Sequence, residues 1–435
     1  MKTAIVHDFL MQMGGAEKVV EVFHEMYPDA PIYTSAYDAK AMPARYRKWD
    51  IRTSFIQKLW MKQKTHRMAI LLYPIAFESF DLSDYDLVLS SSSAFAKGVI
   101  TQPHTTHVCY KHTPMRYAWA TRDYMKNEKV AGALRSLLVP GMHYLRMWDS
   151  VSSSRVDRYV ANSTIVSQRI RKFYGRDCDI VYPPVDISRF GISPIVEDYY
   201  VIVSRFVPYK RLDLAVDAFT KMGKRLKVIG SGRQMSELQA RAGKTIEFLG
   251  RIDDETKERT MARARGFLMP GEEDFGIAPV EANACGRPVI AFASGGALDT
   301  QKDGETGVLF HEQSVRALCE AVHRAETISW NPQAIRANAC RFEIPIFRRK
   351  MENVIARSIL QKQRAADCLT QERQINSRTS SFDGQKLNQN DEHESFDRQD
   401  TSANRYSENL ARDFAESDER KSGHFSVGSE NGHRF

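Results

Sequence analysis

The chain alternates short apolar runs of strand length with longer stretches in which apolar residues recur every three or four positions. This is the pattern of repeated βαβ units in a parallel sheet. In the first half the strand candidates are TAIVHDF (3–9), PIYTSAY (31–37), YDLVLSSS (85–92), THVCYKH (106–112), RYVANS (158–163) and DIVYPP (179–184). A turn-rich connector, PPVDISRFGISPIVED (183–198), follows, and the series restarts with YYVIVSRF (199–206), LKVIGSG (226–232), TIEFLG (245–250), GFLMP (266–270) and PVIAFAS (288–294). Helix-period segments such as RLDLAVDAFTKM (211–222) and DDETKERTMARAR (253–265) lie between them. The economical reading is two α/β domains, 1–190 and 191–344, then a helix at 345–361. From 362 to 435 the periodicity gives way to Ser, Asn, Gln and mixed charge. So few apolar residues do not offset the entropy of ordering, and a disordered polar tail is expected there.

Composition refines this picture. A length of 435 residues suits two cores better than one, and 42% hydrophobic with 27% charged residues is ordinary for a globular protein. The net charge of +8 is unevenly placed: residues 366–435 hold nine Lys/Arg against fourteen Asp/Glu, which leaves +13 on the remainder. A basic body suits nucleic acid, anionic lipid or phosphorylated small molecules, and charge alone does not choose among them. The six cysteines are scattered without C-x-x-C or zinc spacing, which argues against a disulfide or metal framework. The opening MKTAIVHDFL reads directly into a buried strand with no signal-peptide pattern, and no apolar run approaches the ~20 residues of a membrane span. A cytoplasmic protein is expected.

Candidate chemistry concentrates in PGEEDFGIAPVEANACGRPVIAFASGG (270–296). Glu273 follows the strand GFLMP, Gly276 lets the backbone approach a ligand, and a helix starting near Ile277 aims free N–H groups at whatever is bound. Glu281, one turn in, can accept two hydrogen bonds from a ribose diol; acids near a helix start are also favoured by the dipole alone. In SRFVPYKRLD (204–213), Arg205 and Lys210 sit at a strand end and can neutralise a diphosphate without a metal. HDFLMQMGGAEKVVE (7–21) is a strand, a loop with Gly14 and Gly15, and a helix start, an approach site for phosphate or sugar. CYKHTPMRYAW (109–119) places His112 at the end of a buried strand.

Two further patterns read as structural. Asp84-Tyr85-Asp86 and Asp177-Cys178-Asp179 match D-x-D but precede strands, where they read as turns. GSGRQM (230–235) has Met235 at the third glycine of a dinucleotide fingerprint.

E-D-F-G-I-A-P-V-E resembles the E-x7-E motif of retaining family-4 glycosyltransferases, and ACGRPVIAFASGGALDT and DGETGVLF are similar to that family as well. The resemblance covers roughly residues 1–360. It implies a GT-B fold: two doubly wound α/β domains facing a cleft, with a C-terminal helix crossing back to the first. It implies that Arg205, Lys210, Phe275, Gly276, Ile277 and Glu281 hold a nucleotide diphosphate sugar, with Gly14 and Gly15 across the cleft. Glu273 and His112 would orient the sugar as catalytic residues. No metal and no cofactor is expected. The N-terminal half is similar to bacterial polysaccharide-assembly members, among which mannosyltransferases are frequent, so GDP-mannose is the expected donor. Ala120 and Asn283 depart from the family's usual Asp and Met. A sugar-nucleotide epimerase and a nucleotide-sugar binding protein without turnover are the competing classes. Basic residues interleaved with aromatics in 45–77, including Arg45, Arg47, Lys48, Trp49, Lys58, Trp60, Lys62 and Lys64, and more weakly in 131–148, suggest a face for an anionic membrane surface and a lipid-linked saccharide acceptor rather than nucleic acid.

Overall fold

The computed structural model describes residues 1–60, 68–119 and 132–387. Met1–Ala366 forms one compact unit that holds two parallel sheets; the described part of the second unit, Asp367–Phe435, is helix as far as Leu387. The first sheet contains β1 (Thr3–His7), β2 (Ile32–Thr34), β3 (Ile51–Thr53), β4 (Leu87–Ser92), β5 (Thr106–Lys111), β6 (Arg158–Ala161) and β7 (Cys178–Ile180), in the order β3-β2-β1-β4-β5-β6-β7. The second contains β8 (Tyr200–Val203), β9 (Leu226–Ile229), β10 (Ile246–Gly250), β11 (Gly266–Met269), β12 (Val289–Phe292) and β13 (Gly307–Phe310), in the order β10-β9-β8-β11-β12-β13. The α/β class expected from the apolar runs is present as two doubly wound lobes. Two strands were absent from those runs: β3, a short and largely exposed piece, and β13, inside DGETGVLF.

Burial explains why these runs became strands. All five residues of β1 are buried, because helices cover both faces of the sheet. Its side chains alternate between two cores: Ile5 packs with Phe23, Leu89 and Tyr110, whereas Ala4 and Val6 pack with Phe77, Phe95 and Trp148. Each sheet reverses its winding once, between β1 and β4 and between β8 and β11. At such a reversal the connections leave to opposite faces and open a crevice beyond the carboxyl ends of the strands.

The chain crosses between lobes twice. Residues 181–199 lead into the second lobe, and the return runs through the turn Cys340–Phe342. The crossings lie side by side: Val185 N–H donates to Phe342 O at 2.8 Å, and Val185 bridges Glu343 in parallel. The last helix, Ile344–Leu387, places Phe347, Met351, Val354 and Ile355 in the first lobe's core, at one-turn spacing. Phe347 meets Phe23 and Tyr110 at ring separations of 6.1 and 5.5 Å. The helix does not stop at 361, as the expected boundary had it. QKQRAADC (361–368) is rich in Gln, Arg, Lys and Ala, strong helix formers that propagate a helix already nucleated by packing. The rest of the expected tail, 388–435, lies outside the described residues.

A chain ending at residue 366 retains this buried face and the Lys362–Asp157 and Arg357–Asp179 pairs. It is expected to melt within about 2 °C of the full chain. A chain ending at residue 343 uncovers four core side chains and should melt at least 5 °C lower, on the order of the loss of several buried apolar residues. Differential scanning calorimetry of the two truncations checks this.

Candidate functional site

On the second lobe, the loops after β8 and β11 are fixed to each other by backbone contact. The turn Pro208–Lys210 ends at Arg211, with φ 51°, the only non-glycine residue with positive φ among the described residues. That left-handed backbone disfavours an L side chain and persists because neighbours hold it. Arg211 reaches Asp213 at 3.2 Å and Gln313 at 3.1 Å, and the Gln313 amide donates to Pro270 O at 3.0 Å. At Gly271 a Cβ would lie 2.4 Å from Tyr209 O, so only glycine lets the two loops touch here. The contact sets Lys210 Nζ 2.5 Å from Glu273 Oε1. Arg205, earlier in the same loop after β8, is exposed, and its guanidinium lies 3.4 Å from Tyr209 Oη.

The rest of 271–277 is pinned in the same way. Glu273 bridges Gly295, Gly296 N–H donates to Glu273 O at 2.8 Å, and a Cβ at Gly296 would lie 2.2 Å from Phe275 O. Phe275 is buried against Tyr182 and Phe342. Gly276, with φ 87°, caps the helix Ile277–Ala284 without a side-chain bond. Glu281 stands one turn in, with Oε2 3.3 Å from Lys257 Nζ. The six second-lobe candidates at 205, 210, 273, 275, 276 and 277 are thus brought together, and Glu281 is joined by a lysine that the spacing did not reveal.

Facing them on the first lobe is the glycine loop. A Cβ at Gly15 would lie 2.6 Å from Ile277 Cδ1, so the glycine loop and the start of the second-lobe helix are in contact. Gly14 is the N-cap of the helix Gly15–Met26; a Cβ there would lie 2.9 Å from Glu17 Oε2. Asp8, just past β1, is buried and accepts four main-chain N–H groups, from Ser93, Ala94, Phe95 and Ala96, at 2.5 to 2.9 Å. This closes the end of β4 onto the end of β1. His112, immediately after β5, is 9% exposed and its Nε2 is 2.8 Å from Ser91 Oγ. Burial, then the charges of His7 and Lys111, lower its pKa to about 3, so the ring is neutral. His7 lies the other way. Burial opposes its charge, but Glu17 and Asp8 outweigh that and raise its pKa.

Charged side chains span the two lobes. Arg116 Nη2 is 2.6 Å from Asp274 Oδ2, and its guanidinium stacks over the Tyr209 ring at 4.7 Å. Arg169 pairs with Asp274 and, at 2.8 Å, with Glu272 Oε1. Nearby, Asp299 accepts from Thr164 N and Oγ1 at 2.8 and 2.6 Å. Sequence reasoning missed this clasp. Its trace is the acidic run Glu272-Glu273-Asp274, which has no basic neighbour in its own loop.

Other expectations resolve as structure. Asp86 accepts from Lys2 N at 2.7 Å, Asp177 pairs with Arg171 at 2.7 Å, and Asp179 pairs with Arg158 and Arg357, so these carboxylates are engaged in turns and ion pairs. Among the described residues no group of three His, Cys, Asp or Glu could hold a metal ion. Gly230 and Gly232 serve close approach to Ser204 and Phe206. Asn283 is fully buried and donates to Arg287 O and Thr306 O at 3.1 and 3.3 Å, a structural use of that departure. Ala120 lies outside the described residues. Of the basic-aromatic set, Trp49 packs on Tyr46 and His24 at 4.1 and 4.2 Å and Arg45 is paired with Glu21, so neither is free for a surface. Arg47, Lys48 and Lys58 are exposed; Lys62, Lys64 and the Trp60 side chain lie outside the described residues.

Two doubly wound domains with a cation-and-acid loop cluster at one carboxyl edge and a glycine loop at the other define the GT-B architecture. Residues 190–341 match the family model described as Glycosyl transferases group 1. Glycogen synthase of Pseudomonas aeruginosa is 34% identical over 164 residues, covering 35% of this chain and 32% of that one. Glycogen synthase of Pseudomonas syringae pv. tomato is 34% identical over 209 residues, covering 45% and 40%. The chain thus spans about a third to two fifths of the length of these curated relatives. Among solved structures, HepE of Anabaena in complex with UDP and glucose aligns with TM-score 0.58 at 18% identity, covering 82% of this chain and 99% of that one. Sucrose-phosphate synthase from Thermosynechococcus elongatus aligns with TM-score 0.60 at 16% identity, covering 82% and 99%. These two likenesses are of fold.

Asp274→Ala leaves partly buried Arg116 without its carboxylate partner across the cleft and Arg169 with Glu272 alone. It is expected to destabilise the chain by about 1–3 kcal/mol and to raise hydrogen exchange in 271–277. Asp177→Ala, which breaks an exposed pair, is expected to change stability by under about 0.5 kcal/mol. Thermal unfolding with exchange mass spectrometry checks both.

Proposed function

We propose that this chain is a retaining glycosyltransferase that moves a hexose from a nucleotide diphosphate sugar to a saccharide acceptor. The observation that carries the reading is the pairing of Lys210 with Glu273 beside the start of the helix Ile277–Ala284, with the glycine loop in contact across the cleft. A diphosphate at Arg205, Lys210 and the open N–H groups of Ile277 and Ala278 would put its sugar beside Glu273. Glu281 would take the ribose hydroxyls.

The chemistry then asks for charge support of the departing phosphate and for orientation of the sugar. Lys210 and Arg205 supply the first without a metal, and Glu273 and His112 the second. The departing diphosphate, on the same face as the incoming hydroxyl, accepts the acceptor's proton. Over an epimerase or a binding protein without turnover, transfer is favoured by the match of 190–341 to a glycosyl transferase family.

GDP-mannose is the donor that the resemblance of the N-terminal half suggests. UDP-glucose is the second reading, favoured by HepE of Anabaena, a fold neighbour solved with UDP-glucose, and by relatives named glycogen synthase. Incubation with labelled GDP-mannose and UDP-glucose, each with a lipid extract and with soluble oligosaccharides, decides between them. Transfer is expected to persist in a chelator; loss restored by Mg²⁺ or Mn²⁺ would contradict the metal-free arrangement. Lys210→Ala is expected to cost about 2–4 kcal/mol of transition-state stabilisation, read from kcat/KM. A near wild-type rate would remove Lys210 from the site.

The acceptor is proposed to be lipid-linked and reached from the inner face of the cytoplasmic membrane. Among the described residues no helix is long and apolar enough to cross a membrane, so contact would be peripheral. Leu71, Leu72, Ile75, Val139 and Met147 are exposed, and a Cβ at Gly141 would lie 3.3 Å from Leu71 Cδ2, so the two segments are neighbours. Exposed Arg47, Lys48 and Lys58 belong to the same lobe. Sedimentation with anionic vesicles at low salt, release as salt rises, and poor binding to neutral vesicles are expected. Ile75→Glu combined with Met147→Glu should abolish sedimentation and leave GDP and UDP binding unchanged; unaltered sedimentation would favour a soluble acceptor.

A further inference from the structure

Four side chains buried beneath the first lobe's carboxyl edge run in series. Glu17 Oε1 is 3.6 Å from His7 Nε2; His7 Nδ1 is 3.0 Å from Ser91 O and 3.1 Å from Ser91 Oγ; Ser91 Oγ is 2.8 Å from His112 Nε2. They come from four segments: the helix after the glycine loop, β1, β4 and the end of β5.

The proton positions follow from what each atom can do. Ser91 O only accepts, so His7 Nδ1 carries a hydrogen. His7 Nε2 faces a carboxylate, with Asp8 adjacent in the chain, and both raise its pKa against burial, which favours a hydrogen there too. Ser91 Oγ shares the hydrogen on His7 Nδ1 as an acceptor, which leaves its own hydrogen for His112 Nε2. His112 then keeps its single proton on Nδ1. Among the described residues His112 faces His7, Lys111 and the Tyr110 ring, and no acid contributes to stabilising a second proton. Among the described residues no group bonds to His112 Nδ1, and that atom is not sealed from solvent.

We propose that Glu17, His7 and Ser91 are positioning residues that hold His112 as the neutral ring protonated on Nδ1, so that it meets the transferred sugar as a hydrogen-bond donor and not as a base. This rests on the reading above that His112 faces that sugar. The dipeptide Gly14-Gly15 has a second role in this arrangement, since a Cβ at Gly14 would press on the Glu17 carboxylate that begins the series.

The test is ¹⁵N spectroscopy of the full chain labelled at histidine, which reads each ring nitrogen without substrate, together with kinetics. His112 should show a protonated-type Nδ1 and an unprotonated-type Nε2 from pH 5.5 to 8. In Ser91→Ala the Nε2-protonated form should appear, with kcat reduced on the order of tenfold or more and donor KM within about twofold. Glu17→Gln, of the same shape, should move the His7 titration to lower pH and carries the test should Ser91→Ala fold poorly. A protonated Nε2 in the parent chain, an unchanged His112 spectrum in Ser91→Ala, or an unmoved His7 titration in Glu17→Gln would each overturn the proposal. Full transfer by His112→Ala with the parent spectrum as stated would instead overturn the placement of His112 at the sugar and leave the relay standing.

Discussion

The carboxylate of Asp8 is the contact on which the first lobe's chemistry depends. Two neighbouring parallel strands whose connections leave to opposite faces must part at their ends, and the main-chain N–H groups there lose their ladder partners. Asp8 takes four of them, so the crevice is lined rather than frayed. Because β4 is held to β1 at this point, Ser91 comes against His7, and His112 can reach Ser91 from β5. Among the described residues of the second lobe no side chain accepts four main-chain N–H groups in this way; the loop after β11 instead meets those after β8 and β12 by close approach of backbone as well as by the Lys210–Glu273 pair. There Gly271, Gly295 and Gly296 remove the atoms that would keep them apart.

How much of this was readable in the chain depends on the range of the interaction. Among the described residues, eleven of the thirteen strands fall in the apolar runs, and in most of them burial on both faces writes itself into consecutive apolar residues, the partly exposed β7 and β10 excepted. β3 escaped because it is three residues long and largely exposed at an edge. The loop after β11 was readable because glycine, acid and helix start are local signals. The clasp from Arg116 and Arg169 to Asp274 was not, since its partners are more than a hundred residues apart and their types are common on any surface. Lys257 beside Glu281 and the series from Glu17 to His112 have shorter separations but were hidden as well, because packing between separate elements, not spacing within one, brings their members together. In the last two, Glu281 and His112 were visible and their partners became so only when the fold closed.

The basic and aromatic residues of 45–58 divide between exposed Arg47, Lys48 and Lys58 and side chains already engaged within the lobe. Their composition resembles a docking face, yet Trp49 stacks within the lobe and Arg45 answers an acid on the first helix. Composition counts side chains and is blind to which are already occupied. The exposed apolar residues of 71–75 and 139–147 lie inside the two segments marked for such a face, but their exposure shows only as a difference between what the lobe could bury and what it did.

The two crossings between the lobes also carry a mechanical meaning. A single tether would allow one body to swing and twist about the other in every direction. Two strands of chain laid edge to edge and bonded at Val185, Phe342 and Glu343 act as a strip, which resists twist and in-plane shear and yields most readily to folding across its width. The lobes are therefore coupled like the covers of a book, with Arg116, Arg169 and Asp274 at the fore-edge. Folding along that line parts Arg116 and Arg169 from Asp274.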